Sequence, residues 1–200
     1  GWGAGAYGRG GKADGEKLMR ALIAAGAVIA GIALSAPALA SGTAAPASNW
    51  SFSGLFGTFD RGALQRGFQV YSEVCAACHS LRLMSYRNLS DIGFKDDQVK
   101  KIAAAVEVTD GPNDEGEMFE RPGRPSDRFK SPFPNANAAR AANNGAFPPD
   151  LTLMVKARVG GANYLHALLT GYRDPPKGFE LSEGMSYNAM FSGHQIAMPA

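Results

Sequence analysis

The sequence contains few of the residues and patterns that most directly indicate a function. Its 200 residues include two cysteines and three histidines, no tract rich in lysine or arginine, and a formal net charge of +2. A nucleic-acid binder would be expected to carry a basic tract interleaved with aromatic residues, so this class of partner is not indicated. A zinc site needs four ligands, usually from two pairs of Cys or His, and no second pair is visible.

Strand patterns are also missing from the sequence. No segment alternates apolar and polar residues over several positions, and no segment repeats. The 25 glycines and 12 prolines favour long loops and short helices over a large sheet. Two hundred residues allow one domain with a tail. The predicted fold class is therefore mainly α, a helical domain with long loops.

The longest apolar run, at residues 21–34, is too short for a membrane span. It follows Lys17 and Arg20, and small residues end the segment at 35–40. Fourteen residues rich in Ala and Gly fall short of the roughly 20 that a transmembrane helix needs. We interpret residues 17–40 as a signal peptide cleaved after Ala40, with a membrane span as the alternative. Residues 1–16 are glycine-rich and indicate a linker, which leaves 41–200 as the folded domain.

Both cysteines lie in one short segment, Cys75-Ala-Ala-Cys78, and His79 follows directly. On a helical turn, two thiols three positions apart point the same way, so they can add to the two vinyl groups of one haem. The adjacent histidine can then ligate the iron, and this spacing is the attachment pattern of a c-type haem. A redox dithiol is the alternative, but it has no use for the histidine. Export agrees with a haem, because its attachment takes place outside the cytoplasm in bacteria.

The second axial ligand decides what such a haem does. A strong ligand makes an electron carrier, whereas an open position permits gas binding or catalysis. Met198 is the favoured ligand, because it lies far downstream in an extended stretch before Pro199. Spacing alone leaves three alternatives, which are His194, Met185 and Met190. Met154 lies in a predicted helix and is interpreted as a packing residue. His166, also in a predicted helix, is interpreted as a partly buried structural histidine.

Helical periodicity and capping residues predict the main elements. The predicted helices run from Asp60 to Cys75, over 98–106 with Asp96 or Asp97 as cap, over 151–158 with Asp150 as cap, and over 162–170. Residues 109–134 are predicted as a long exposed loop, 135–145 as at most one short helix, and 181–200 as irregular.

Several segments carry a resemblance beyond the cysteine motif. They are Arg66–Leu81, Pro148–Leu151, Ala157–Gly161, Tyr164–Tyr172 and Ile196–Pro199. Together these segments resemble the cytochrome c1 family, the haem subunits of the cytochrome bc1 complex. The resemblance spans residues 50–200 and implies a cytochrome-c-like helical domain around one covalent haem c. The glycine-rich head before an internal signal resembles the junction of fused cytochrome b/c1 precursors.

The resemblance also implies roles for individual residues. Those that bind the haem or its iron are Cys75, Cys78, His79 and Met198. Two prolines, Pro148 and Pro149, would line the haem cleft. Arg158 and Tyr164 would approach the haem propionates, which suits a guanidinium and a phenol facing carboxylates.

What the resemblance implies about function is electron transfer, with no catalysis by this chain alone. Family members accept electrons from the Rieske iron–sulfur protein and reduce a soluble cytochrome c. They sit beside cytochrome b in the inner membrane, with the haem domain on the periplasmic side. Because the family has an anchoring helix after the methionine segment, we expect this sequence to be a fragment that lacks it. A haem enzyme or a gas sensor with an open distal position is the alternative function.

Residues 107–120 are unusually acidic. They hold six acids and no basic residue, namely Glu107, Asp110, Asp114, Glu115, Glu117 and Glu120. A solvated loop is one interpretation. The other is a docking surface for a basic electron carrier, since complementary charge speeds encounter in a salt-sensitive way.

Overall fold

The computed structural model describes residues 44–200, so the linker predicted for 1–16 and the signal peptide predicted for 17–40 lie outside it. The described residues are mainly helical, as predicted. The helices are α1 Arg61–Glu73, α2 Asp96–Ala104, α3 Ala136–Ala142, α4 Met154–Ala157 and α5 Gly161–Leu169, with 3-10 turns at Cys75–Ala77 and Tyr86–Ile92. Two antiparallel pairs join β1 Glu107–Asp110 to β2 Phe119–Pro122 and β3 Ser186–Tyr187 to β4 Gln195–Ile196. Between residues 44 and 200, no helix is long and apolar enough to cross a membrane.

Helix α1 begins where the sequence predicts. The Asp60 side chain accepts a hydrogen bond from the Ala63 N–H (3.1 Å), which satisfies one of the free donors of the first turn. Phe68 and Tyr71 lie three positions apart and pack on the core from the same helix face. The helix leads the chain directly into Cys75.

An aromatic core lies between α1, the 3-10 turn at Tyr86–Ile92, and α2. Its buried side chains are those of Tyr86, Leu89, Val99, Ala103 and Phe129. The Phe129 ring contacts Tyr86 at 4.5 Å between centroids and meets Phe68 and Tyr71 edge-on at 6.1 Å each. Such tilted and edge-to-face pairs are the favoured geometry of aromatic rings. The core therefore fixes α1, and with it the start of the cysteine motif.

The predicted cap of α2 is wrong. The N-cap residue is Lys95, and its N–H donates to the Gln98 side-chain oxygen (2.9 Å). Asp96 and Asp97 lie inside the first turn instead. Negative charge there interacts favourably with the helix dipole, so these residues stabilise the helix without capping it.

The predicted loop at 109–134 contains a hairpin. Strands β1 and β2 pair with Asp110 opposite Phe119. The Arg121 guanidinium donates two hydrogen bonds to Asp127 (2.7 and 3.0 Å) and pairs with Asp110. The hydrogen bonds from Arg121 lower the pKa of Asp127 to about 2. The strands were missed because four residues are too few to show an alternating pattern.

Polar contacts shape the remainder of the domain. Asn135 caps α3 through the Ala138 N–H (2.9 Å), in agreement with the predicted short helix. Helix α4 is shorter than the predicted 151–158, and its N-cap is Leu153, because the Asp150 carboxylate binds elsewhere. Helix α5 agrees with prediction to within one residue at each end. The segment predicted as irregular contains the short pair β3–β4.

Candidate cofactor site

The cysteine segment folds as a tight helical turn after α1. The Cys78 N–H donates to the Cys75 carbonyl (3.1 Å), and the His79 N–H donates to the same carbonyl (2.8 Å). Both cysteines are partly buried and free of a disulfide, so both thiols are available for attachment. In the part of the chain that the structure describes, no three side chains of His, Cys, Asp or Glu are grouped for a metal ion.

The His79 imidazole is oriented by a backbone carbonyl. Its Nδ1 lies 2.8 Å from the carbonyl oxygen of Pro149. Because a carbonyl oxygen can only accept a hydrogen bond, Nδ1 carries the proton of the neutral ring and Nε2 keeps a free lone pair. Histidine ligands of metals are commonly held in this way by a partner on the second nitrogen. The ring is therefore in the tautomer that an iron ligand needs.

Asp150 links the Pro149 carbonyl to residues 80–82, which follow His79. One carboxylate oxygen accepts from the Ser80 hydroxyl and the Arg82 N–H (2.8 Å each), and the other accepts from the Thr152 N–H (3.0 Å). Burial acts to raise the pKa of Asp150, but these hydrogen bonds outweigh it and hold the pKa well below its ordinary value. The predicted role of Asp150 as a helix cap is therefore wrong, since its side chain bridges two distant segments.

Two further contacts fix the backbone beside the imidazole. The Leu151 N–H donates to the Ser80 carbonyl (2.9 Å), and the Tyr71 hydroxyl donates to the His79 carbonyl (3.2 Å). Burial raises the pKa of Tyr71 to about 12, so its hydroxyl stays protonated as a donor at neutral pH. His79 is thus attached both to α1 and to the segment around Pro149.

Apolar side chains flank the two predicted cleft prolines. Pro148 is half-buried and Pro149 is exposed. The exposed apolar neighbours are Phe147 (48%), Leu153 (55%), Val155 (53%) and Val159 (98%). Such a concentration in one stretch is typical of a surface that binds an apolar group. Two free thiols, an imidazole with a free Nε2 and this apolar stretch together fit a covalently attached haem.

Arg158 and Tyr164 are not joined to the motif by hydrogen bonds. The Arg158 guanidinium is exposed and donates to the adjacent Ala157 carbonyl (3.3 Å), while Tyr164 is half-buried on α5. Among residues 44–200, no hydrogen bond connects either side chain to residues 75–79. Their role at the propionates stays a prediction.

Met198 and His194 lie on either side of β4. The Tyr172 hydroxyl donates to the Met198 carbonyl (3.1 Å), and the Met198 side chain is partly buried. His194 has a left-handed backbone (φ 59°), and its ring stacks on Tyr187 at 5.7 Å with Nδ1 3.4 Å from the Asn188 carbonyl oxygen. A contact at Nδ1 leaves His194 Nε2 free, as it does in His79, so the choice of Met198 over His194 stays a prediction.

The remaining methionine and histidine candidates each have different surroundings. Met154 is buried, in agreement with its predicted packing role, and Met185 is exposed. Met190 lies beside Gly171, where an added Cβ would come within 3.0 Å of its Cγ. His166 meets Trp50 edge-on at 5.6 Å but is exposed, so the prediction that it is partly buried is wrong.

Sequence reasoning missed Asn188, the residue that arranges the C-terminal segment. Asn188 is completely buried, with Nδ2 donating to the Leu168 carbonyl (2.8 Å) and Oδ1 accepting from the N–H groups of Met190 (3.0 Å) and Phe191 (3.2 Å). Gly171 leaves the necessary space, since a Cβ there would come within 3.0 Å of Asn188 Oδ1. An asparagine that can bond the backbone two residues ahead is a turn signal, and it was available in the sequence.

The sequence matches the model described as the Cytochrome C1 family over residues 50–200.

Curated relatives agree with that match. The mitochondrial heme protein cytochrome c1-2 of Solanum tuberosum is 54% identical over 158 residues, which cover 79% of this chain and 61% of the potato protein. Cytochrome c1 of Rhodospirillum rubrum is 47% identical over 196 residues, covering 90% of this chain and 72% of that protein. Cytochrome b/c1 of Bradyrhizobium diazoefficiens is 46% identical over 213 residues, covering 96% and 31%. The chain therefore spans less than two thirds of the length of the potato relative.

Proposed function

The chain belongs to the cytochrome c1 family, and from this premise we propose that it is an electron-transfer subunit holding one covalent haem c. Cys75 and Cys78 provide the thioether bonds, and His79 Nε2 is the proximal ligand. When bound, a haem c supplies a one-electron iron couple, and the chain breaks no substrate bond. The observation that carries this proposal is the 2.8 Å contact between His79 Nδ1 and the Pro149 carbonyl, because it leaves Nε2 free.

We assign the second axial position to Met198. This assignment is supported by the Tyr172 hydroxyl, which binds the Met198 carbonyl, and by the partly buried position of Met198. A thioether is a soft ligand that favours Fe(II), so the protein should have a higher reduction potential than a bis-histidine haem protein.

The remaining residues of the predicted haem environment complete the proposal. Pro148 and Pro149 line the cleft, together with the exposed apolar side chains between residues 147 and 159. Arg158 and Tyr164 face the propionates. The exposure of the Arg158 guanidinium supports this role, because an accessible guanidinium can form paired hydrogen bonds with a carboxylate.

We further propose that the chain works beside cytochrome b in the bc1 complex, with its haem domain on the periplasmic side of the inner membrane. The electron donor is the Rieske iron–sulfur protein and the acceptor is a soluble cytochrome c. The exposed acids Asp114, Glu115 and Glu117 between β1 and β2 support docking of a basic carrier. Asp110 contributes less to such a surface, because Arg121 pairs with it.

Two spectroscopic tests on protein exported with its haem-attachment machinery distinguish this function from its alternatives. Acidic acetone should leave the pigment on the polypeptide, and carbon monoxide should not bind rapidly to the reduced protein, because both axial positions are filled. Pigment that washes away would contradict covalent attachment. Rapid carbon monoxide binding would instead indicate a haem enzyme or gas sensor.

A further inference from the structure

We propose that Asp150 is a positioning residue whose carboxylate holds the Pro149 carbonyl against His79 Nδ1 and so fixes the orientation of the proximal histidine. This inference rests on the proposed function, because the orientation of the ring has a consequence only if Nε2 binds iron.

The geometry forms a closed ring of covalent and hydrogen bonds. His79 is bonded to Ser80 along the chain, and the Ser80 hydroxyl donates to the Asp150 carboxylate (2.8 Å). Asp150 is bonded to Pro149, whose carbonyl accepts from His79 Nδ1 (2.8 Å). The peptide unit between Pro149 and Asp150 carries that carbonyl, so holding Asp150 in place limits the rotation of the acceptor. Both ends of the imidazole–carbonyl bond are thereby tied to one carboxylate.

The ionised form of Asp150 is what its neighbours require. Its oxygens face the Ser80 hydroxyl, the Arg82 N–H, the Thr152 N–H and, at 3.5 Å, the Arg82 guanidinium. Every one of these groups donates, so a carboxylate satisfies them while an amide would turn an NH2 group toward one set of donors. Hydrogen bonds to a charged acceptor are also stronger than those to a neutral one.

Replacing Asp150 should therefore change properties of the histidine itself. If the Pro149 carbonyl is less firmly held, the Nδ1–H bond weakens and the ring proton exchanges with solvent more readily. A weaker bond to Nδ1–H also makes Nε2 a poorer electron donor to the iron, which raises the reduction potential. The loss of the negative charge of Asp150 disfavours Fe(III), so it raises the reduction potential as well.

The test uses the haem-loaded, exported protein labelled with 15N-histidine, in the diamagnetic ferrous state. Asp150→Asn should increase the exchange rate of the His79 Nδ1 proton about tenfold or more and raise the reduction potential. Asp127→Asn is the matched control. Asp127 is another low-pKa carboxylate that accepts from a backbone N–H, that of Arg124 (2.7 Å), and it pairs with Arg121 rather than with the motif. In Asp127→Asn, the exchange rate of the His79 Nδ1 proton should match that of the unmodified protein.

Ser80→Ala provides a second variant that keeps the charge of Asp150 and removes one hydrogen bond. It should increase the exchange rate by a smaller factor than Asp150→Asn. The inference is overturned if the exchange rates in Asp150→Asn and Ser80→Ala equal that of the Asp127→Asn control, since Asp150 would then only stabilise the fold and any change in potential would come from its lost charge alone. Failure of the proposed function would look different, because the unmodified protein would itself show no haem-shifted His79 ring signal.

Discussion

Two regions of the domain are held together by different forces. In residues 61–130, one apolar cluster buries five side chains, and aromatic edges from α1 pack against it. In residues 147–200, the buried apolar side chains are small in number, namely Met154, Ala167 and Ile196. Within this region Asn188 joins separate segments by hydrogen bonds, and Asp150 accepts hydrogen bonds from Ser80 and Arg82 that join it to the first region.

The interactions of the first region stabilise the fold, whereas those of the second region position individual groups. Burial of apolar surface is non-directional and stabilises the fold as a whole. Hydrogen bonds made by single side chains such as Asp150 and Asn188 are directional, so they decide where a nearby carbonyl or imidazole points. The second region also exposes apolar side chains between residues 147 and 159, so we expect haem attachment to stabilise it more than the first region.

The largest effect on stability should come from the apolar cluster. Phe129→Ala removes the ring at its centre and should lower the free energy of unfolding by about 3–5 kcal/mol, measured by urea denaturation. Leu169→Ala is the control, since that side chain is 61% exposed and its loss should cost within about 0.5 kcal/mol. Equal losses for the two variants would mean that the cluster is not the stabilising core.

Asn188→Ala should have the next largest effect on stability, and this effect should be confined to the residues around Asn188. The N–H groups of Met190 and Phe191 would lose their acceptor, at a cost of about 1–3 kcal/mol. Amide hydrogen exchange should therefore increase mainly in residues 186–198. The exposed Asn137 on α3 supplies the matched Asn→Ala control, and faster exchange throughout residues 61–130 would refute the division into two regions.

The Arg121–Asp127 pair should contribute less and should depend on pH. The folded-state pKa of Asp127, about 2, lies below its ordinary value of 3.8, so its contribution is fully present above pH 3.8 and is lost as pH falls through 2. Asp127→Asn should lower the free energy of unfolding by about 1–2 kcal/mol at pH 7 and by only a small part of that at pH 2, where half of the carboxylate is protonated. Urea denaturation at the two pH values checks this, and a difference that does not change with pH would show that ionisation is irrelevant.

The acidic hairpin should have almost no effect on stability. Neutralising Asp114, Glu115 and Glu117 together should change the free energy of unfolding by less than about 0.5 kcal/mol. It should slow electron transfer to a basic cytochrome c several-fold at low salt, and not at high salt, because screening removes the attraction.

The control for the hairpin neutralises an equal number of exposed acids elsewhere, at Asp174, Glu180 and Glu183. Stopped-flow rates across a salt series compare the two triple variants. If electron transfer slows equally in both triple variants, the net charge of the protein rather than the hairpin governs its encounter with cytochrome c. If the deficit persists at high salt, the hairpin acts by a different mechanism.

Local patterns in the sequence predicted the parts of the fold that depend on neighbouring residues. The Asp60 cap, the path of α1 into Cys75, and α5 all follow from residues within a turn or two of each other. Asp150 shows the limit of such patterns. Its sequence position predicts a helix cap, yet it accepts hydrogen bonds from Ser80 and Arg82, about 70 positions earlier.

In the candidate site, too, the sequence predicts the groups that are neighbours along the chain but not the contacts between distant residues. The Cys75–His79 spacing predicts the attachment chemistry without a structure, because every group involved lies within five positions. The partner of His79 Nδ1 is a backbone carbonyl, and no side-chain pattern reveals which carbonyl it is. The same holds for the hairpin, where Arg121 joins two acids that only the folded chain brings together.

The sulfur-to-iron charge-transfer band of the ferric protein tests most directly the central claim of a haem held between His79 and Met198. We expect the band in the unmodified protein and its loss in Met198→Leu, with the haem still covalently bound and the reduction potential much lower. His194→Gln and Met190→Leu should both retain the band. A band that survives Met198→Leu, or that is missing from the unmodified protein, would contradict the assignment.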